Sequence, residues 1–366
     1  MADLRIEQLL REMVKSKASD LHIRVGTPPI FRINGSLVKI FDTRIDPAMM
    51  DSFLDDIMNR DQKQRFETNK ECDFAVGARD MGRFRVNVFR QRGTIAVVIR
   101  HIKAKIPPFE ELGLPDVVKD LALTRRGLIL VTGTTGSGKS TTLASMLDYI
   151  NQNESVNIIT VEDPIEYLYN DNKAIISQRE LGVDTLSYAN ALRAALRQDP
   201  DVLLVGEIRD LETMAIALTA ADTGHMVFAT IHTTNATETI QRVLSMYPPH
   251  QHDEIRLLLA EVLAGIISLR LLPTKDGKGR VPAAEILVNT AAIKEYIKDK
   301  DKLPMVETAI AEGHMQYHSQ TFDQSLLELY NEEKISLDVA LNAATNRDDF
   351  ELKIRGITGT SERGWM

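Results

Sequence analysis

The sequence predicts an α/β protein in which a small mixed α+β domain precedes a larger domain with a parallel sheet and a helical C-terminal portion. Three observations predict it. Four apolar segments, GLILVTG from 127, VNIITVED from 156, DVLLVGE from 201 and MVFATIH from 226, alternate with helical stretches. That alternation is the pattern of a mainly parallel sheet covered by helices, with binding loops at the carboxyl ends of its strands. Ahead of them stand shorter alternating segments of a separate domain. Between the two lies KAKIPPFEELGLP, 103–115, whose three prolines and changes of pattern mark a linker. A chain of 366 residues exceeds the usual size of one hydrophobic core, which agrees with such a division. The boundaries drawn are 1–102 for the first domain, 103–115 for the linker, 116–270 for the α/β core and 271–366 for a helical C-terminal region.

In chain order, Leu4, Ile6, Leu9, Leu10, Met13 and Val14 recur near helical spacing and predict an opening amphipathic helix with a core-facing stripe. LHIRV, PIFRI and SLVKI, separated by Gly26, Pro28, Pro29, Asn34 and Gly35, read as short strands and turns. A helical stretch covers 47–68, and 82–91 and 94–102 read as two further strands. Past about residue 250 the pattern turns predominantly helical, and no repeat or low-complexity tract appears.

Composition narrows the function classes. Hydrophobic residues at 43% and charged residues at 26% are those of a globular chain and leave little room for extended disorder. One cysteine, Cys72, excludes an intramolecular disulfide framework and a zinc cluster of several thiolates, and it fits a reducing compartment such as the cytoplasm. MADLRIEQLL carries no export signal, and no apolar run reaches the length of a membrane span. Work at a membrane would therefore go through docking onto other proteins. A net charge of −8 argues against nucleic acid as the main partner.

The strongest chemical signal is GTTGSGKS, formed by Gly133, Thr134, Thr135, Gly136, Ser137, Gly138, Lys139 and Ser140. It matches the full GxxxxGK[ST] pattern directly after an apolar strand and at the opening of a helix. In that context the backbone N–H groups of the turn and the positive helix end converge on phosphate oxygens. Lys139 then reaches the β- and γ-phosphates of ATP, the Ser140 hydroxyl ligates Mg²⁺, and Thr141 is the candidate for the α-phosphate. The bland alternative, a flexible turn with a fortuitous lysine, leaves that context unexplained.

Acidic residues stand where two later strands end. DVLLV delivers Glu207, placed to complete the Mg²⁺ site through water, and NIITV delivers Glu162 and Asp163, with Pro164 ending the strand. A carboxylate at a strand tip beside the γ-phosphate can orient and deprotonate the attacking water, and Glu162 is the candidate base. The competing reading of each is a solvated strand end. MVFATIH brings His232 to the same rim, as a γ-phosphate sensor or as a hydrogen-bonded structural histidine, with His225 at the strand's start. Arg193 and Arg197 share a helix face at i, i+4 and meet a phosphate, a neighbouring subunit or a plain ion-pair partner. In the first domain Arg83, Arg85, Arg90, Arg92 and Arg100 read as solvated strand residues or as arginines reaching a nucleotide on another domain.

Taken together, SDLHIRVG, GTTGSGKSTTLASMLDYIN, ITVEDPIEY, ALRAALRQDPDVLLVGEIRDLET and TGHMVFATIHTTNATETIQR resemble the secretion ATPase superfamily that powers type II secretion and type IV pili. The resemblance covers essentially the whole chain, with four separate motifs in the expected order. It implies homohexameric rings, a PAS-like N-terminal domain and a RecA-like P-loop ATPase domain on a flexible linker, with ATP and Mg²⁺ at the site. It also implies that Glu162 is the catalytic glutamate of an aspartate box, that Glu207 is the Walker B acid, and that His225 and His232 form a histidine box. Arg85 and Arg100 then resemble arginines contributed to the nucleotide from the N-terminal domain, and Arg193 and Arg197 those from the RecA-like helix.

Within the superfamily, extension and secretion ATPases usually carry a long extra N-terminal region and a four-cysteine metal-binding insert. This chain has a single cysteine and begins directly with the PAS-like pattern. It therefore resembles the retraction branch, the PilT type. That implies a cytoplasmic motor docked at the inner-membrane base of the pilus machine, acting on a membrane-embedded platform protein. One departure stands out: the branch's A-I-R motif reads Ala292, Ile293, Lys294 here. The alternatives are an extension or type II secretion motor, a nucleic-acid translocase on the same core, and a nucleotide sensor that does not hydrolyse.

Overall fold

The computed structural model describes residues 4–33, 35–78, 81–102 and 106–354. Asn34, the first three residues of the expected linker and the end of the expected helical region from 355 lie outside the described residues. The chain divides into two compact units, Met1–Lys105 and Ile106–Met366.

In the first unit, helix α1 (Ile6–Lys15) buries Ile6, Leu9, Leu10 and Met13, the stripe its spacing predicts. Strands β1 (Asp20–Arg24), β2 (Ile30–Ile33) and β3 (Ser36–Lys39) follow. The single helical stretch expected over 47–68 is two helices, α2 (Pro47–Ile57) and α3 (Arg60–Asn69). The break has a local cause: the Asn59 side chain accepts from the Gln62 amide and Gln62 returns a bond to the Asn59 amide, a reciprocal cap that starts a new helix. Strand β4 (Glu71–Ala78), unforeseen, buries Cys72 and Phe74 at alternate positions and leads into β5 (Gly82–Gln91) and β6 (Thr94–Ile102). The sheet is antiparallel throughout, in the order β3-β2-β1-β6-β5-β4. Arg85 and Arg100 stand opposite each other in the β5–β6 register.

In the second unit the expected linker is structured from Ile106 onward. Phe109 is buried and Ser145 donates to the Pro107 carbonyl at 2.8 Å. Helix α4 (Val117–Ala122) precedes β7 (Gly127–Thr132), α5 (Lys139–Asn153), β8 (Asn157–Glu162), β9 (Ile175–Glu180), α6 (Tyr188–Ala195), β10 (Val202–Val205), α7 (Leu211–Asp222), β11 (Met226–Ile231), α8 (Ala236–Ser245) and α9 (His252–Val262). The four apolar segments of the sequence are thus β7, β8, β10 and β11. These four and β9 run parallel. Helices cover both faces, so every residue of β7, β10 and β11 is buried, as fully covered parallel strands require.

The C-terminal stretch is predominantly helical, as its pattern predicts, and it also holds two strands that the pattern does not announce. The stretch after residue 250 opens with α9, but two strands follow, β12 (Leu263–Pro273) and β13 (Arg280–Val288), so position 270 falls inside a strand. β12 pairs in parallel with β7, and β13 pairs antiparallel with β12, giving the order β13-β12-β7-β11-β10-β8-β9. The run LAGIISLRLL lacks clear alternation because β12 is buried on both faces, and periodicity alone cannot distinguish such a strand from a buried helix. From Ala291 the described chain is helical: α10 (Ala291–Lys298), α11 (Val306–Glu312), α12 (His314–Tyr317), α13 (Phe322–Asn331), α14 (Leu337–Ala343) and α15 (Arg347–Ile354). No described helix is long and apolar enough to cross a membrane.

Phe228, fully buried in the central strand β11, is the packing residue whose loss tests this core. Phe228→Ala is expected to destabilise the second unit by about 3–5 kcal/mol in denaturant titrations. Leu186→Ala, at a side chain 90% exposed, is expected to change it by less than about 0.5 kcal/mol.

Candidate active site

The site is built at the carboxyl ends of β7, β8, β10 and β11. β7 ends at Thr132 and the chain turns at Gly133, whose φ of +136° disfavours any side chain. A Cβ there would stand 2.5 Å from both the Leu269 carbonyl oxygen of β12 and Ser137 Oγ. Gly136 and Gly138 also hold positive φ, and Gly138 opens α5 without a side-chain cap, which leaves the first amides of a 15-residue helix for a ligand. Lys139, 9% exposed, folds back to donate to the Gly133 carbonyl at 2.8 Å and the Thr134 carbonyl at 3.0 Å. Burial holds its ammonium below the usual lysine value, against the opposing pull of Glu207 and Glu166.

Three strand ends supply the groups facing this loop. Glu162, the last residue of β8, accepts from Thr160 Oγ1 at 2.7 Å and from Gln178 Nε2 at 3.1 Å. Its burial raises the carboxyl's pKa despite those two bonds. Glu207, just past β10, takes Arg209 at 2.6 Å and His232 Nε2 at 3.1 Å. Burial alone would raise Glu207, but Arg209, His232 and Lys139 outweigh it and hold the carboxyl below its ordinary value. Two carboxyl groups in one cleft are therefore pushed in opposite directions, the arrangement that separates a proton acceptor from a permanently charged partner. Gly206 makes this approach possible, since a Cβ there would lie 3.1 Å from the Glu162 Cα and from the Tyr188 hydroxyl.

The resulting cleft holds about 430 Å³ and brings together Thr135, Gly136, Gly138, Lys139, Ser140, Thr141, Glu162, Asp163, Glu207 and His232. Gly133, Thr134 and Ser137 lie behind this lining and shape the loop. The residues suit ATP with Mg²⁺. Ser137 Oγ is buried with no hydrogen-bond partner, in a loop whose remaining donors are amides at a helix start. Among the described residues no three His, Cys, Asp or Glu side chains gather as a metal cage. A hydroxyl and a single carboxylate suit Mg²⁺, which is held largely by substrate phosphates and water.

Other expected residues stand elsewhere. Arg193 is ion-paired with Glu212 of α7, and Arg197 donates to the Arg193 carbonyl at 2.9 Å, so neither lines the cleft. His225 sits at the opposite end of β11 from His232, bonded to the Ala220 carbonyl at 2.9 Å. In the first unit Arg100 donates to Asp20 at 2.8 Å, and Arg85 lies 3.9 Å from Asp73. The structure adds Arg209, Glu166, Tyr167, Tyr188 and Arg280, besides Gln178. Arg209 stands two residues past Glu207 in GEIRD and was legible on that spacing. Gln178 was not, because it meets Glu162 only through the parallel β8–β9 register that sets it opposite Thr160.

Glu162→Gln is expected to lower kcat by about 10²–10⁴-fold while nucleotide binding persists. A carboxyl raised by burial must lose its proton before it can act as a base, so with Glu162 in that role the wild-type kcat is expected to fall on the acid side at a pH above the ordinary glutamate value of about 4.3. Steady-state phosphate release as a function of pH checks both, and that limb should vanish from the residual activity of the variant.

Comparison with known proteins agrees with this geometry. The model of the family described as "Type II/IV secretion system protein" matches residues 2–336, and the chain belongs to that family. The type IV pilus ATPase PilU of Pseudomonas aeruginosa is 40% identical over 355 residues, covering 96% of this chain and 92% of PilU. The type IV pilus retraction ATPase PilT of the same organism is 44% identical over 345 residues, covering 94% and 99%. A crystal structure of the pilus retraction motor PilT with bound ADP matches with a TM-score of 0.89 at 47% identity, over 95% of this chain and 99% of that one. The protein is an ATPase of this family that takes ATP with Mg²⁺.

Proposed function

We propose that the protein is a homohexameric motor that couples Mg-ATP hydrolysis to domain rotation and so drives type IV pilus retraction, working in the cytoplasm at the inner-membrane base of the pilus machine. The observation that carries the chemistry is the meeting of Lys139, Glu162, Glu207 and His232 in one cleft at four neighbouring strand ends. The loop amides and Lys139 hold the β- and γ-phosphates. Ser140 directly, and Glu207 through water, would hold Mg²⁺, which would neutralise charge on the phosphate oxygens. Glu162 orients the attacking water and takes its proton, sheltered by Thr160 and Gln178. His232, bonded to Glu207, is placed to register whether the γ-phosphate is present.

The arginines supply the ring's share. Arg100 is two-thirds exposed while Asp20 fixes its guanidinium, and Arg85 stands beside it in the register. Such a paired cationic strand face suits a nucleotide presented by a neighbouring protomer. Arg193 from α6, and Arg197 from the turn just past its end, would approach it after Arg193 leaves Glu212. Cleavage then alters what these cations hold, turns one protomer against the next, and is transmitted to a membrane-embedded platform protein. The similarity to the retraction ATPase PilT over nearly all of both chains supports this direction over pilus extension, secretion or nucleic-acid translocation.

The lysine in Ala292, Ile293, Lys294 has a local account. Lys294 and Lys298 of α10 both grip Glu261 of α9 at 3.1 Å. Each lysine thus meets the Glu261 carboxylate as a compact point charge, where an arginine would present a planar fork.

Deleting the gene in its native host is expected to leave cells with surface pili but without twitching, restored by the wild-type gene and not by the Glu162→Gln form. Loss of surface pili in the deletion strain would show an extension motor instead.

A further inference from the structure

Behind the phosphate loop lies a buried carboxyl that the chemistry described above leaves unused. Glu285, on β13, is 5% exposed, and its Oε1 accepts from the Ala236 amide, the first residue of α8, at 2.6 Å. The same oxygen receives Ser268 Oγ of β12 at a longer 3.5 Å, and Ser268 in turn accepts from Thr132 Oγ1 at 3.0 Å. Thr132 is the last residue of β7, immediately before Gly133. Ala236 stands four residues after His232, and the turn between them is itself tied down by the 2.7 Å bond between the Thr233 and Thr239 hydroxyls.

We infer that Glu285 is a positioning residue for ATP hydrolysis, which clamps the strand end that launches the phosphate loop to the turn that carries His232. The turn that carries His232 is thereby held on two sides. In front, His232 meets Glu207 across the site; behind, a line of three side chains runs from Thr132 to the start of α8. An ionised carboxylate at a helix start makes a stronger bond to the amide than a neutral group does. The charged groups bearing on Glu285 are Arg270 of β12, which favours the ionised form, and Glu307 of α11, which disfavours it. Burial is the larger influence and raises the carboxyl to about 7, so the clamp is at full strength only above neutrality.

The inference deepens the ATP-hydrolysis reading and rests on it. Wild-type turnover reports on that reading, whereas the ratio of variant to wild type reports on Glu285 alone. Steady-state phosphate release is measured on the purified full chain between about pH 6 and pH 8, bracketing the transition expected of the raised carboxyl. Glu285→Gln keeps an oxygen acceptor and removes the charge; at pH 8 it is expected to lower kcat about fivefold with KM within about twofold, in line with weakening one charge-assisted bond. The wild type is expected to lose activity toward the variant's level as pH falls through about 7, a step absent from the variant. Wild-type kcat and an unchanged pH profile in the variant would overturn the inference, as would a lowered melting temperature with kcat per folded molecule unaltered. Should Glu285→Gln fail to fold, Ser268→Ala breaks the link to Thr132 without touching the buried charge. It is expected to lower kcat about threefold at constant KM, and full wild-type kcat would be equally fatal.

Discussion

The site depends on one steric constraint, the closeness of the β7–α5 turn to β12. At Gly133 there is no room for a methyl group between the backbone of the neighbouring strand and Ser137. That contact forces the chain to curl back over itself, so that the carbonyls of Gly133 and Thr134 point at Lys139 instead of at water. The ammonium is thus held inside the loop, and the first turn of α5 is presented bare. A loop free to relax outward would lose the convergence of donors that a triphosphate requires.

From that fixed loop follows the division of labour among the acids. Each carboxylate is delivered by a strand whose side chains are buried on both faces, so its distance from the loop is set by sheet geometry rather than by a mobile segment. Burial then penalises charge on both, and the neighbours decide the outcome. Glu207 meets cationic or cation-forming groups, Arg209, His232 and Lys139, and is held charged. Glu162 meets neutral donors and the like charge of Glu166, and is left with a raised proton affinity. A single architectural feature, parallel strands ending together, therefore yields two carboxyl groups with opposite tendencies.

Much of this was legible in the sequence because the signals were local. The phosphate loop is contiguous, strand-terminal acids announce themselves at the end of an apolar run, and α1 and strands β5 and β6 follow from spacing alone. What stayed hidden depends on pairing between distant segments. Gln178 reaches Glu162, and Glu285 is linked to Thr132 by way of Ser268, only through registers that no spacing encodes. β12 and β13 leave no clear period because a strand covered on both faces lacks alternation, and α2 and α3 read as one helix because the cap at Asn59 interrupts the helical pattern by only two residues. Arg193 and Arg197 show the converse limit: spacing put them on one helix face, but the ion pair with Glu212 holds Arg193 outside the cleft.

If the curled loop and its enclosed ammonium are what grip the phosphates, removing that ammonium must stop catalysis while leaving the scaffold intact. ATP turnover by purified, folded Lys139→Ala protein tests this most directly. The account predicts turnover reduced at least about a hundredfold, as expected when preorganised charge at a transferring phosphoryl group is lost; turnover at the wild-type rate would contradict it.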